Sequence, residues 1–326
     1  QPAISRRDSL CLPANRRVAL SMESRMATDA PAAPKNEDSR KGFVLAAAAY
    51  LLWGALPFYL KALGHLSPFE VISHRVFWSV PIAGVILAAL GQLGELKVAL
   101  RSPRMLGMAF ITASLVSINW GVYVWAISID RTLDAALGYF INPLFSIFLG
   151  AVLLKEKLSP AQIAALGLAA IGVAIMTYAT GALPWIGLIL TLSWGAYAFL
   201  RKALPIGANQ GFFLEVALLS PFALGYILWL TATGQGHFMQ GVPLDSVLLG
   251  SAGLATASPL VLYANGAKLL RLSTLAIMQY VTPSPLFLVA VFAFNEPMNP
   301  LKLSAFIFIW AALIVYSWSM MMRAKA

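Results

Sequence analysis

Beyond residue 41 the chain has little with which to face water. Thirteen of its 36 charged side chains (23 basic and 13 acidic) lie in residues 1–41, which leaves 23 for the other 285 residues. Charged residues make up 11% of the chain and hydrophobic ones 60%, whereas a soluble domain carries about 25% charged residues. The medium that suits such a chain is hydrocarbon. A helix crosses a bilayer core of about 30 Å with roughly 20 apolar residues. Ten such runs are legible, at about 43–62, 72–91, 107–127, 133–153, 160–179, 183–201, 212–231, 246–266, 274–294 and 301–321. A barrel would alternate apolar and polar positions over strands of about ten residues; these runs are apolar all round. The expected fold is an all-α polytopic membrane protein of ten transmembrane helices. A soluble enzyme, a nucleic-acid module and a disordered chain are excluded.

The net charge of +10 is then a statement about orientation, because short cytoplasmic segments of membrane proteins collect Lys and Arg. With the N-terminus inside, 19 of the 23 basic residues fall inside. Eight belong to the tail, and the rest are Lys97, Arg101, Arg104, Lys155, Lys157, Arg201, Lys202, Lys268, Arg271, Arg323 and Lys325. Only Lys61, Arg131 and Lys302 fall outside, and Arg75 lies within a span. Both termini are expected in the cytoplasm. Residues 1–41 hold no apolar core of the kind a secretory signal needs. They read as a disordered basic cytoplasmic tail, with Met22 or Met26 as candidate starts.

The chain also matches itself at a shift of about 140 residues. Trp53-Gly54-Ala55 and Phe58 return as Trp194-Gly195-Ala196 and Phe199, while Pro143, Glu156 and Pro160 return as Pro283, Glu296 and Pro300. Five spans per copy is an odd number, so the second copy must enter the membrane from the opposite side. Inverted repeats of this kind are a ground plan of alternating-access transporters. The expected organisation is one repeat over 42–180 and a second over 181–322.

Several strings are specific: Ala49-Tyr50-Leu51-Leu52-Trp53-Gly54, His74-Arg75-Val76-Phe77-Trp78-Ser79, Leu137-Gly138-Tyr139-Phe140-Ile141-Asn142-Pro143-Leu144, Arg271-Leu272-Ser273-Thr274-Leu275, and Gln279-Tyr280 ahead of Pro283. On these residues the chain resembles the drug/metabolite transporter superfamily, in particular its EamA branch and, within that, the RarD family of chloramphenicol-sensitive proteins. The resemblance covers about 42–322. It implies an inner-membrane permease, an exporter or exchanger of small metabolites or drugs. The family name reports a resistance phenotype and not a transported molecule.

Ionisable groups inside a span cost about 2.5–3.5 kcal/mol to insert and so mark function by default. His74 and Arg75 in the second span and Glu215 in the seventh stand out, with Glu215 opposite Arg75 at a shift of 140. Glu215 or His74 could carry protons and Arg75 could meet an anionic group. The bland alternative is snorkelling from nearby span ends. The two charges sit near opposite faces, so a direct pair is not expected. Proline breaks at matching positions point to a transporter's site, and Asn142-Pro143 and Pro283-Ser284-Pro285 fit. Tyr139, Asn142, Gln279 and Tyr280, with Trp53 and Asn119, are the candidate substrate-binding residues; interhelical glue is the competing reading. Ala161, Ala165 and Ala169 read as close helix packing, and His65 and His237 as outer-loop residues.

There is no His-Glu-x-x-His and no phosphate-binding Gly-x-x-x-x-Gly-Lys-Ser/Thr loop, which argues against an enzyme or an ATP-driven pump. The single cysteine, Cys11, leaves no disulfide framework or multi-cysteine metal site. No cofactor and no metal are expected. The expected partners are the lipid bilayer, a small-molecule substrate and, as a candidate coupling ion, the proton; no nucleic acid is. The reading is a secondary transporter working by alternating access. A channel or lipid scramblase, and a receptor or scaffold, are the alternatives.

Overall fold

Proline is tolerated at the first position of a helix, where its missing N–H has no intrahelical partner to lose. In the computed structural model this rule sets six helix starts, at Pro68, Pro103, Pro160, Pro243, Pro283 and Pro300. The structure describes residues 39–153, 158–203, 206–267, 269–270, 274, 278 and 281–325. The helices are α1 (Arg40–Ala62), α2 (Pro68–Ala89), α3 (Leu93–Leu100), α4 (Pro103–Ser128), α5 (Thr132–Leu153), α6 (Pro160–Thr180), α7 (Trp185–Ala203), α8 (Ala208–Thr233), α9 (Pro243–Ala267), α10 (Pro283–Leu288) and α11 (Pro300–Lys325). A π-helical turn, Val289–Ala293, continues α10. Among the described residues there is no strand.

Several helices start about one turn before the apolar run that announces them. The extra turn is polar because it carries the cap. Ser102 accepts from the Met105 N–H at 3.4 Å, and Ser159 exchanges bonds with Gln162 in a capping box. Ser39 caps α1, so Arg40 and Lys41 belong to its first turn and not to a tail; residues 1–38 of the expected tail lie outside the described residues. The segment between the second and third spans, basic in sequence, contains the short α3.

Among the described residues eight helices are long and apolar enough to cross a membrane, and two shorter apolar helices, Trp185–Arg201 and Pro283–Ala293, accompany them. The chain is a multi-pass membrane protein. The ninth span departs from expectation. Thr274 and Met278 are helical within the run expected from 274, a continuous α-helix is described from Pro283, and it ends in the π-turn. There the Phe294 N–H reaches back to the Val289 carbonyl at 2.8 Å, and Asn295 adopts a left-handed φ of 53°. This turns Glu296 inward.

Helix α6 packs on α11, α2 on α8, α9 on both α1 and α2, and α7 on both α4 and α5; α10 bridges α1 and α5. Missing side chains permit the tightest crossings. A Cβ on Gly253 of α9 would lie 2.2 Å from the Trp78 backbone of α2, and one on Gly138 of α5 would lie 2.6 Å from the Gly187 carbonyl of α7. Close approach of small residues replaces the hydrophobic driving force that lipid removes. Ala165 and Ala169 are buried in the same manner.

We call the end where α1 begins and α11 finishes proximal, and the opposite end distal. The distal loops are cross-tied. Lys61 pairs with Asp130, Glu70 holds His237 through its ring at 2.9 Å and its N–H at 2.8 Å, and His65 meets Asp245 at 3.1 Å. Glu296 accepts from the Thr132 and Leu133 N–H groups at 2.6 and 2.9 Å, capping α5 with a full charge. At the proximal end Ser39 N–H bonds the Leu269 carbonyl, and Asn209 bonds Gln92 at 3.2 Å.

Candidate functional site

Two buried charges organise the interior. Arg75 is the eighth residue of α2, and Val71, Arg75 and Ser79, spaced four apart, form one buried stripe. Arg75 Nε donates to Thr256 Oγ1 of α9 at 3.1 Å, and the guanidinium carbon lies 5.0 Å from the centroid of the Trp120 ring of α4. The phenols of Tyr59, Tyr123 and Tyr139, from α1, α4 and α5, lie within electrostatic reach. Tyr123 and Tyr139 meet edge to face at 5.5 Å. The Tyr59 hydroxyl donates to the Leu248 carbonyl, and that of Tyr139 donates to Asn119 Oδ1 at 3.1 Å. Arg75 Nη1, closed off from solvent, has no hydrogen-bond partner.

Glu215 is the eighth residue of α8, and its surroundings are the reverse. Its Oε1 accepts from Thr112 of α4 at 2.8 Å, and its Oε2 accepts from the Tyr197 hydroxyl of α7 at 3.2 Å. Arg201 of α7 closes an ion pair at 3.4 Å and also donates to the Gly207 carbonyl at 3.0 Å. A carboxylate with two hydroxyl donors and a counter-charge is satisfied in a way that Arg75 is not.

Residues 40–178 match the EamA-like transporter family. Protein RarD of Streptomyces exfoliatus is 38% identical over 288 residues, covering 88% of this chain and 91% of that one. An uncharacterized transporter of Vibrio cholerae is likewise 38% identical, over 87% and 94% of the two chains. The chain belongs to the RarD family. A solved crystal structure, 20% identical, superposes with a TM-score of 0.55 over 84% of this chain and 96% of its own, a likeness of fold alone. The matching family model and the Vibrio relative are named as transporters, and the chain is a membrane transporter by family.

In this RarD-family chain the residues singled out from sequence do not all meet. Tyr139 and Asn119 do, but the Asn119 amide is fully engaged, since its Nδ2 donates to the Leu190 carbonyl and to Ser193 Oγ, both at 3.0 Å. Asn142 is buried beside them in sequence, and its Oδ1 has no partner. Trp53 lies apart, in an aromatic cluster with Tyr50 and Tyr263 at 5.7 and 5.6 Å. Gln279 and Tyr280 fall outside the described residues. Pro143 does not break its helix, because α5 runs through it, whereas Pro283 opens α10. The two prolines are therefore not equivalent. His74 accepts from Trp78 Nε1 at 3.2 Å and is covered by Phe238, away from Glu215.

Sequence reasoning missed the hydroxyls that dress the two charges, namely Thr256 and Tyr59 for Arg75, and Thr112 and Tyr197 for Glu215. One signal was present. The shift that sets position 75 opposite 215 also sets the third span opposite the eighth, and each carries a buried threonine.

Proposed function

We propose that the chain is a secondary transporter that moves a small metabolite or drug across the inner membrane by alternating access between two inverted five-helix halves, 42–180 and 181–322. One observation carries this reading: contacts recur in pairs when the halves are exchanged. A Cβ on Gly54 of α1 would meet Pro285 of α10 at 3.0 Å, and one on Gly195 of α7 would meet Phe145 of α5 at 2.4 Å; the shifts are 141 and 140 residues. Arg75 bonds Thr256, and Glu215 bonds Thr112. The first span packs on the eighth, and the sixth packs on the third as well as on the fourth. Such a dyad lies in the membrane plane, and rocking about it exposes one site to each side in turn.

The basic bias puts the proximal end and both termini in the cytoplasm. Arg75, Tyr139 and Asn142 then lie in the outer half, sealed outside by the Lys61–Asp130, Glu70–His237 and His65–Asp245 pairs. The Arg201–Glu215 pair seals the inner half. Glu215 is the proton-carrying candidate, because protonation would release Arg201 and loosen that seal. Trp53 would line the path on the inner side, and Gln279 and Tyr280 remain candidate substrate-binding residues from the sequence.

Counter-flow tests this reading. Proteoliposomes preloaded with unlabelled candidate metabolites should take up the labelled compound transiently and saturably. Linear, non-saturating leak would indicate a channel or scramblase, and no flux for any compound would favour a receptor or scaffold. For coupling, Glu215→Gln should abolish acceleration by a pH gradient while counter-flow persists; unchanged gradient dependence removes Glu215 from the mechanism.

A further inference from the structure

Among the described residues Arg75 is the only buried lysine or arginine, with 3% of its surface exposed. The buried acids Glu70, Asp134, Glu215, Asp245 and Glu296 are all engaged elsewhere. Glu70 is held by His237, Asp134 by Arg131 at 2.5 Å, Glu215 by Arg201, Asp245 by His65, and Glu296 by the α5 N-terminus. This buried guanidinium has no acid, and its Nη1 has no acceptor. A lone buried charge costs several kcal/mol, so its retention calls for a partner.

With Nε given to Thr256, the end-on edge of the guanidinium is what remains, and a planar carboxylate fits that edge. The surroundings are neutral and aromatic: Trp120, Tyr59, Tyr123 and Tyr139. A phosphate dianion would bring in a second charge with no second buried cation to meet it. A chloride ion would balance the charge but would leave the fork unmatched. The geometry points to Arg75 as the anchor for a carboxylate on the transported molecule, so the substrate class is small organic monocarboxylates. This rests on the transporter reading above.

The full chain, purified in detergent, is tested with 2-amino, 2-hydroxy and 2-oxo monocarboxylates, their methyl esters, chloride and inorganic phosphate. At least one acid should raise the unfolding temperature where its ester, chloride and phosphate do not. Arg75→Gln should weaken that binding about tenfold or more, the usual result of removing one partner of a buried charge pair; Arg75→Lys should recover part of it. Because Arg75 has no internal ion pair, Arg75→Gln without ligand should unfold no earlier than the parent. The proposal is overturned by an ester that binds as well as its acid, by phosphate or chloride acting in place of the acids, by no acid binding, by undiminished binding in Arg75→Gln, or by an unliganded Arg75→Gln that fails to fold. Counter-flow separates the two readings. Saturable exchange indifferent to Arg75→Gln leaves a transporter without this substrate class, and acid binding without exchange leaves the site without transport.

Discussion

Arg75 and Glu215 occupy the eighth positions of α2 and α8, helices that pack on one another, yet they are treated in opposite ways. Glu215 has a threonine, a tyrosine and a counter-ion. Arg75 has a threonine and aromatic rings, and Nη1 is left over. One scaffold thus carries a closed electrostatic unit toward its proximal end and an open one toward its distal end. A satisfied pair holds structure together, while an unsatisfied charge is stored for something that arrives. On the proposal above, the difference separates a fastening from a receptor site.

The sharpest way to break this comparison is to delete each charge and measure unfolding in the same detergent. Removing one member of a buried pair costs about 3–5 kcal/mol, so Glu215→Ala should destabilise by about 3 kcal/mol, the lower figure because Arg201 is partly exposed. Arg75→Gln should leave stability unchanged or raise it by up to about 1 kcal/mol. Equal losses at both sites would erase the distinction.

A smaller effect is expected at Glu296, whose carboxylate caps α5 through two N–H bonds. Loss of a cap costs about 0.5–2 kcal/mol, so Glu296→Gln should lower stability by about 1 kcal/mol. If the halves are equivalent, Glu156→Gln should cost the same; a silent Glu156→Gln would break the equivalence at that position. The smallest effect is expected at Tyr139→Phe, which removes one bond to Asn119. It should weaken substrate competition by about 0.5–1.5 kcal/mol in a counter-flow titration, at unchanged protein level in the membrane. No change would leave Asn119 and Tyr139 as interhelical glue.

How much was legible follows from what each feature depends on. The spans are visible because lipid-facing helices are apolar on every side, so Leu51 and Val85, both exposed, read as plainly as buried Leu87. Span starts were misplaced where a Ser-Pro cap added a polar turn, as at Ser102-Pro103, but not at Ser159-Pro160, where the helix starts at the expected residue. The π-turn that ends the ninth span was not legible, because apolarity alone does not distinguish it from a continuous α-helix. Arg75 and Glu215 stood out by rarity. Their partners did not, since Thr112, Thr256 and Tyr197 resemble any hydroxyl that bonds its own helix, and Thr256 does also donate to the Ala252 carbonyl. Trp53 was prominent through its repeated motif, but motif prominence carries no information about which face of a helix a residue occupies. His65 and His237 are the loop residues they looked like, but their acids, Asp245 and Glu70, were not legible because they lie 180 and 167 residues away.

The central claim is that the two charges guard opposite sides of one path opened in turn. In a Cys11→Ser background, Thr256→Cys and Thr112→Cys place matched thiols beside Arg75 and Glu215, each to be labelled by a membrane-impermeant maleimide in right-side-out and inside-out vesicles. The account predicts that position 256 labels from the outside and position 112 from the inside. Adding Glu215→Gln should raise labelling at 112 and lower it at 256. Labelling of both positions from one side, or a rise at both together, would contradict alternating access and leave a continuous pore.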